Sequence, residues 1–233
     1  MKRIPSRELL DDDNGTPAEV SNSLADLRFF NHCFGGVNTT AHMVEHAARV
    51  SGKSKLSVLE VAAGSGDLPQ SVRERLQRRG IDLQLTMLDR CSSHLANGEA
   101  KVVGDALSLP FHDDSFDLIS CCLFVHHLPP DQVTAFAKEA LRCSRVAVLI
   151  NDLVRNPVHL ALVYAGLPIY RSRITRNDAP ASVRQAYTPA EMREMLGHTG
   201  AAEVEITRHY LYRMGVVVWK SRAPVNGKKP ANV

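Results

Sequence analysis

Hydrophobic positions recur along this chain with two different periods, and the two alternate. Over 18–34, Val20, Leu24, Leu27 and Phe30 return at helical spacing, and Gly35-Gly36 ends the run. A second helical stripe, over 39–50, carries Met43, Val44, Ala47 and Val50. Short continuous apolar runs near 56–61, 83–88, 101–103, 116–121 and 146–150 predict strands buried on both faces. Between them helical spacing returns over 68–79, 92–97 and 131–143. In the last of these Val133, Phe136, Ala137, Ala140 and Leu141 fall on one side. Strand and helix in alternation predict a mostly parallel sheet with helices on both faces.

After the fifth strand the alternation stops. Residues 156–187 hold Pro157, an apolar stretch from His159 to Ile169 and an arginine-rich run. This segment reads as an inserted helical lid, because loops at the strand C-termini carry specificity in open α/β sheets. Thr188-Pro189-Ala190-Glu191 is a capping box with Pro at the first helical position, and its helix should run to about Leu196. Residues 203–209 and 211–219 read as the closing strands. The organisation expected is therefore a helical cap (18–52), a core (53–155), the lid (156–187) and a helix with two strands completing the core (188–220). The polar residues 1–17 and the tail 221–233 are expected to be disordered.

Composition narrows the picture. At 233 residues and 44% hydrophobic, the chain can build one large core. No apolar run reaches the roughly 18–20 residues of a membrane span, and the start lacks the apolar stretch of a secretory signal, so a cytoplasmic protein is expected. The net charge of +3 is scattered, apart from a basic cluster from Arg171 to Arg176, which argues against a nucleic-acid partner. Five cysteines without a Cys-x-x-Cys pair predict free thiols and no metal site.

The chemistry centres on Val58-Leu59-Glu60-Val61-Ala62-Ala63-Gly64-Ser65-Gly66-Asp67-Leu68-Pro69. It begins as a strand, passes through a turn of small residues and enters a helix. Gly64 and Gly66 let a ligand approach the backbone, and the helix N-terminus favours an anionic group. A third glycine for a dinucleotide fingerprint would fall at position 69, which is Pro. Asp89 ends the next strand, roughly 20 residues further on, the offset at which an acid reads a ribose in doubly wound folds.

The turn resembles motif I of the class I S-adenosylmethionine (SAM) methyltransferases, with Glu60 as its acid and Ala62 in place of its first glycine. Gly104-Asp105-Ala106-Leu107-Ser108-Leu109-Pro110-Phe111 resembles a second family segment, and His126-His127-Leu128 resembles the one that follows the fourth strand. The resemblance is strong over about 55–153 and loose elsewhere. It implies a Rossmann-like fold: a mostly parallel seven-stranded sheet with an antiparallel final strand. It implies SAM as cofactor, S-adenosylhomocysteine as product, and contacts from Glu60, Ala62, Ala63, Gly64 and Gly66. Asp89 would hold the ribose hydroxyls, Arg90 the edge of the adenine and Asp105 its amino group. Ala106, Leu107, Cys122 and Leu123 complete the set.

Methyl transfer needs close alignment and exclusion of water, and a phenol, enol or acidic carbon must also lose a proton. His126, His127, His159 and Asp152 are the candidate bases; Asp152 could instead orient a base or substrate, and Arg155 could stabilise an enolate or phenolate. An isolated histidine is more often structural than catalytic; His126 stands out because it follows the fourth strand. Apolar lid residues suggest an apolar or aromatic small-molecule acceptor. O-methylation of a phenol or enol is the leading expectation, with C-methylation of a quinol ring and a non-catalytic SAM-binding module as alternatives. An RNA methyltransferase would want a basic groove or an Asn/Asp-Pro-Pro-Tyr/Phe motif, and neither occurs. A monomer or homodimer is expected.

Overall fold

Strand β1 (Lys55–Val61) is the middle of the molecule, with β2 (Asp82–Asp89) on one side and β4 (Phe116–Cys122) on the other. In this computed structural model, residues 1–10, 15–91 and 100–221 are described. Strands β3 (Ala100–Val103), β5 (Ser144–Leu153), β6 (Glu203–His209) and β7 (Arg213–Trp219) complete a seven-stranded sheet of order β3-β2-β1-β4-β5-β7-β6. Only β7 runs antiparallel to its neighbours, as the expected fold class requires. The order reverses at β1 and β4, so a crevice for ligand opens beyond their C-terminal ends. The helix expected at 92–97 and the tail beyond 221 lie outside the described residues.

Alternate residues of β1 serve two cores. Leu59 and Val61 pack with Val133 and Phe136 of α4 (Pro130–Cys143) and with Met192 and Leu196 of α7 (Pro189–Gly197). Leu56 and Val58 pack with Val44 and Ala47 of α2 (Gly36–Ser51) and with Val72 and Leu76 of α3 (Asp67–Gln77). Helix α2 starts at Gly36, earlier than the apolar stripe alone predicts, because Gly35 takes the left-handed conformation (φ 83°) that turns the chain.

Helix α1 (Pro17–Cys33) has the predicted span, but its apolar stripe is not what it buries. Its buried residues are Ser23 and Asp26. It packs on α6 (Arg173–Gln185) through polar contacts. Asp26 accepts from the amides of Arg171 and Ser172, and the Thr175 hydroxyl donates to that of Ser23. The segment 156–187 is helical: α5 (Pro157–Gly166), a 3-10 turn over 167–169, then α6.

The start of the chain departs from expectation. Residues 1–10 are docked rather than loose. The Ile4 amide donates to the carbonyl of Arg184, and the amides of Leu9 and Leu10 donate to Asp178. Arg3 donates to the carbonyls of Gln185, His126 and Leu128, and its guanidinium lies 4.4 Å from the centre of the Tyr187 ring. A polar composition reads as disorder only while partners are unknown; here several of the polar groups find one.

Candidate active site

The turn after β1 is built from left-handed backbone. Ala62, Gly64 and Gly66 have φ of 54°, 53° and 74°. The Gly66 amide donates to the Ala63 carbonyl, and the Ala63 amide donates to Leu88 at the end of β2, so the turn is strapped to the next strand. A Cβ added at Gly64 would meet nothing within 4 Å, which leaves that face of the turn open to a ligand. Arg28 of α1 pairs with Asp67 in the first turn of α3 and spans the far side.

Asp89 holds this turn in shape. One carboxylate oxygen accepts from the Gly64 amide at 2.9 Å and the other from the Cys91 amide at 2.9 Å. The Gly104 amide donates to the Asp89 carbonyl, so the Gly104–Asp105 loop lies against the end of β2. Asp105 is exposed there and accepts from the Leu107 amide; Arg90 is exposed beside Asp89. Asp89, Arg90, Asp105, Ala106 and Leu107 therefore gather on one side of the glycine turn. Cys122 and Leu123 close the other side at the end of β4, where Leu123 is held at φ 54° and its amide donates to Asn151. A non-glycine left-handed residue costs about 1–3 kcal/mol and tends to occur at functional sites.

Glu60 sits lower. It is buried beneath the turn beside Thr40, Ser120 and Val72, and burial pushes its carboxyl up to about 7. It lies near the end of the strand that leads into the turn.

Beyond β4, a 3-10 turn (Val125–His127) points His126 at β5. Its Nδ1 lies 2.6 Å from Asp152, which also accepts from the His126 amide at 3.1 Å. On the other side Nε2 lies 3.7 Å from Glu8 of the docked N-terminal segment. Burial alone would lower the imidazole, but Asp152 and Glu8 outweigh it and push His126 up to about 10. Burial likewise works against Asp152 and Glu8, and the imidazolium holds both below the usual carboxylate range. The two carboxylates thus favour the protonated form of His126, whose Nε2 is buried with no hydrogen-bond partner among the described residues.

A family model described as a methyltransferase domain matches residues 58–146, from β1 through the turn, Asp89, Asp105 and His126 into β5. Over that span the chain carries a methyltransferase domain. A demethylmenaquinone methyltransferase of Thermotoga maritima is 39% identical over 66 residues, which are 27% of this chain and 28% of that protein. A ubiquinone/menaquinone biosynthesis C-methyltransferase of Rhizobium meliloti is 27% identical over 183 residues, 68% of this chain and 69% of that protein. The fold is that of the plantazolicin methyltransferase BpumL, solved with a desmethylPZN analogue and S-adenosylhomocysteine (TM-score 0.61, 14% identity, 88% of this chain, 97% of that one). It is also that of magnesium protoporphyrin IX methyltransferase of Synechocystis, solved with S-adenosylhomocysteine (TM-score 0.54, 14% identity, 86% and 95%).

Two residues expected in the chemistry of this methyltransferase stand apart from the His126–Asp152 pair. Arg155 is buried with all its nitrogens engaged: it donates to the carbonyls of Met1 and Ala186 and to Glu191. It clamps the N-terminus to α7. His159 has its Nδ1 3.1 Å from the Val154 carbonyl, and its ring stacks on Tyr212 at 5.3 Å. Burial pushes it below its ordinary range.

Sequence reasoning missed Glu8 and Arg213. Glu8 lay in a stretch read as disordered, and no local pattern announces it. Arg213 of β7 is buried and donates to Asn31, Asn151 and the Phe34 carbonyl, tying the cap helices to the sheet beside Cys122. Only the neighbouring strand order, invisible in the sequence, brings it there.

Proposed function

We propose that this enzyme transfers the methyl group of SAM to the oxygen of an acidic hydroxyl, a phenol or enol, on an apolar or aromatic acceptor. The observation that carries the reading is the buried Asp152–His126 pair at the C-terminal ends of β5 and β4, level with the glycine turn after β1. Bound SAM supplies a sulfonium methyl carbon, and its sulfur keeps the electron pair when that bond breaks. The chain's residues then have separate tasks. The open face at Gly64, with Asp89 and Asp105 beside it, holds the nucleoside. His126, kept protonated by Asp152, pairs with the acceptor oxygen as its anion, in the place Glu8 takes in the closed chain. Such an anion is stabilised most where water is excluded. The hydroxyl proton leaves to solvent on entry, and the ether that forms is neutral and no longer held by the imidazolium.

C-methylation of a quinol ring is the second reading, favoured by the similarity to the Rhizobium meliloti enzyme. A quinol also ionises, so His126 would serve it in the same way, with carbon in place of oxygen as nucleophile. Incubation with SAM and a panel of phenols, enols and quinols tests both: S-adenosylhomocysteine release with an O-methyl product supports the first, and a C-methyl product the second. Cofactor binding without any product would favour a non-catalytic module.

A further inference from the structure

A surface helix normally turns an apolar stripe inward. Helix α5 does not. Its ten residues contain no Asp, Glu, Lys or Arg, and His159 is the one that is buried. With the 3-10 turn that follows, it exposes Val158, Leu162, Tyr164 and Ile169, the last at 69%. The apolar surface continues onto the end of α1. The Tyr170 ring meets Phe30 at 5.2 Å, and Phe30 stacks on Phe34, itself exposed with Phe29. A contiguous patch of this kind on a soluble chain marks an interaction surface.

Charge identifies what it meets. Between Leu153 and Asn177 there is no Asp or Glu, and there are four arginines: Arg155, Arg171, Arg173 and Arg176. Arg155 is the buried clamp, and Arg173 pairs with Glu19. Arg171 and Arg176 are exposed at the edge of the patch and pair with no acid among the described residues. Arg184 lies 5.6 Å from the centre of the Tyr164 ring and donates to its hydroxyl, adding a cation on the α5 face. Asp26 is buried and occupied by the Arg171 and Ser172 amides. No helix among the described residues is long and apolar enough to cross a membrane.

We infer that the α5 face docks on an anionic lipid bilayer. Val158, Leu162 and Ile169 enter the boundary between headgroups and acyl chains. Tyr164 sits at headgroup level, and Arg171 and Arg176 meet lipid phosphates. A neutral or cationic protein surface offers nothing for those arginines, whereas an anionic bilayer satisfies both halves of the patch at once.

The test is sedimentation of the full chain with vesicles of phosphatidylcholine alone and of phosphatidylcholine mixed with phosphatidylglycerol. The mixed vesicles should bind about tenfold more tightly, two interfacial arginines contributing on the order of that factor. High salt should erase the difference. Arg171→Glu with Arg176→Glu should remove the preference for anionic lipid. Leu162→Asp with Ile169→Asp should abolish binding to both vesicles, with an unchanged melting curve because both positions are exposed. Wild-type protein that stays in the supernatant overturns the inference, as does a Leu162→Asp/Ile169→Asp variant that binds equally well. Concentration-dependent dimerisation that the same variant abolishes, without vesicle binding, assigns the face to a second copy of the chain and also overturns it.

Discussion

Nδ1 of His126 lies 2.6 Å from Oδ1 of Asp152, with the two side chains 2% and 1% exposed. Asp152 has further contacts that support the pair, accepting from the amides of His126 and Leu153, whereas Nε2 of His126 lies 3.7 Å from Glu8, beyond hydrogen-bond reach. Removing one partner alone leaves the other charged and unpaired, at a cost of about 3–5 kcal/mol.

This pair should be visible in the pH dependence of stability. His126 is raised from 6.5 to about 10, so its contribution is fully present below pH 6.5 and is lost as pH rises through 10. Glu60, raised from 4.5 to about 7, keeps its proton longer in the folded chain, so it also makes stability fall with rising pH, between about 4.5 and 7. Asp152 and Glu8, both lowered, act in the opposite sense and only in acid, below 4.5. Urea midpoints should therefore decline from mildly acid solution toward pH 10. In the His126→Gln/Asp152→Asn double variant the decline above pH 6.5 should flatten, while Glu60→Gln should flatten the lower part. A double variant with the wild-type slope would remove the pair as its source.

The sheet was legible because its strands are continuous apolar runs and its helices keep a 3.6 period; both survive any tertiary context. The turn after β1 was legible for a related reason: a left-handed turn needs small residues, and Asp89 ends a strand of readable length. The acceptor side was not. Whether a histidine is neutral depends on what lies across from it. For His126 that is Glu8, more than a hundred positions away, in a segment with no period at all. Arg155 illustrates the same limit: its position after β5 suggested chemistry, but the fold closes the N-terminus and α7 around it.

Asp89 should matter for the cofactor through the turn as well as directly. Asp89→Ala frees the Gly64 and Cys91 amides and removes the acceptors offered to a ribose. Each lost partner of a buried donor costs about 1–3 kcal/mol, so S-adenosylhomocysteine should bind about 10–100-fold more weakly by calorimetry. Asp105→Ala, whose carboxylate is exposed and braces only Leu107, should cost less. Equal losses in the two variants would contradict the bracing role of Asp89.

Ala62 and Gly66 should respond in opposite directions to exchange. Ala62 holds φ 54°, a conformation costing an L-residue roughly 1–2 kcal/mol, whereas glycine adds about 0.5–1 kcal/mol of chain entropy to the unfolded state. Ala62→Gly should therefore stabilise the fold slightly, by about 0.5–1 kcal/mol. Gly66→Ala meets both strain and the Met87 methyl at 3.3 Å, and should destabilise by about 1–3 kcal/mol. Chemical denaturation of the two variants checks the signs, and a destabilised Ala62→Gly would mean the turn draws support from the Ala62 side chain.

The pH–rate profile decides how His126 acts. A neutral base would give an acid limb near its ordinary value of 6.5. A cation held by Asp152 and Glu8 should give none there, and activity should instead fall as pH rises toward 10, where the imidazolium is lost. His126→Asn keeps a polar side chain and removes the charge; it should lower kcat by about 10²–10³, the usual cost of losing one electrostatic contact to a developing or bound anion. Cofactor affinity should stay within about twofold, since the nucleoside contacts lie on the other side of the turn. Glu8→Gln separates the two roles of the N-terminal segment. It removes one of the carboxylates that raise His126, so the alkaline fall should move to lower pH, and it removes the group standing where the acceptor oxygen would bind, so KM should fall as well. A Glu8→Gln enzyme with an unmoved alkaline limb would detach Glu8 from His126, and an acid limb near pH 6.5 in the wild type, absent from His126→Asn, would restore the neutral base.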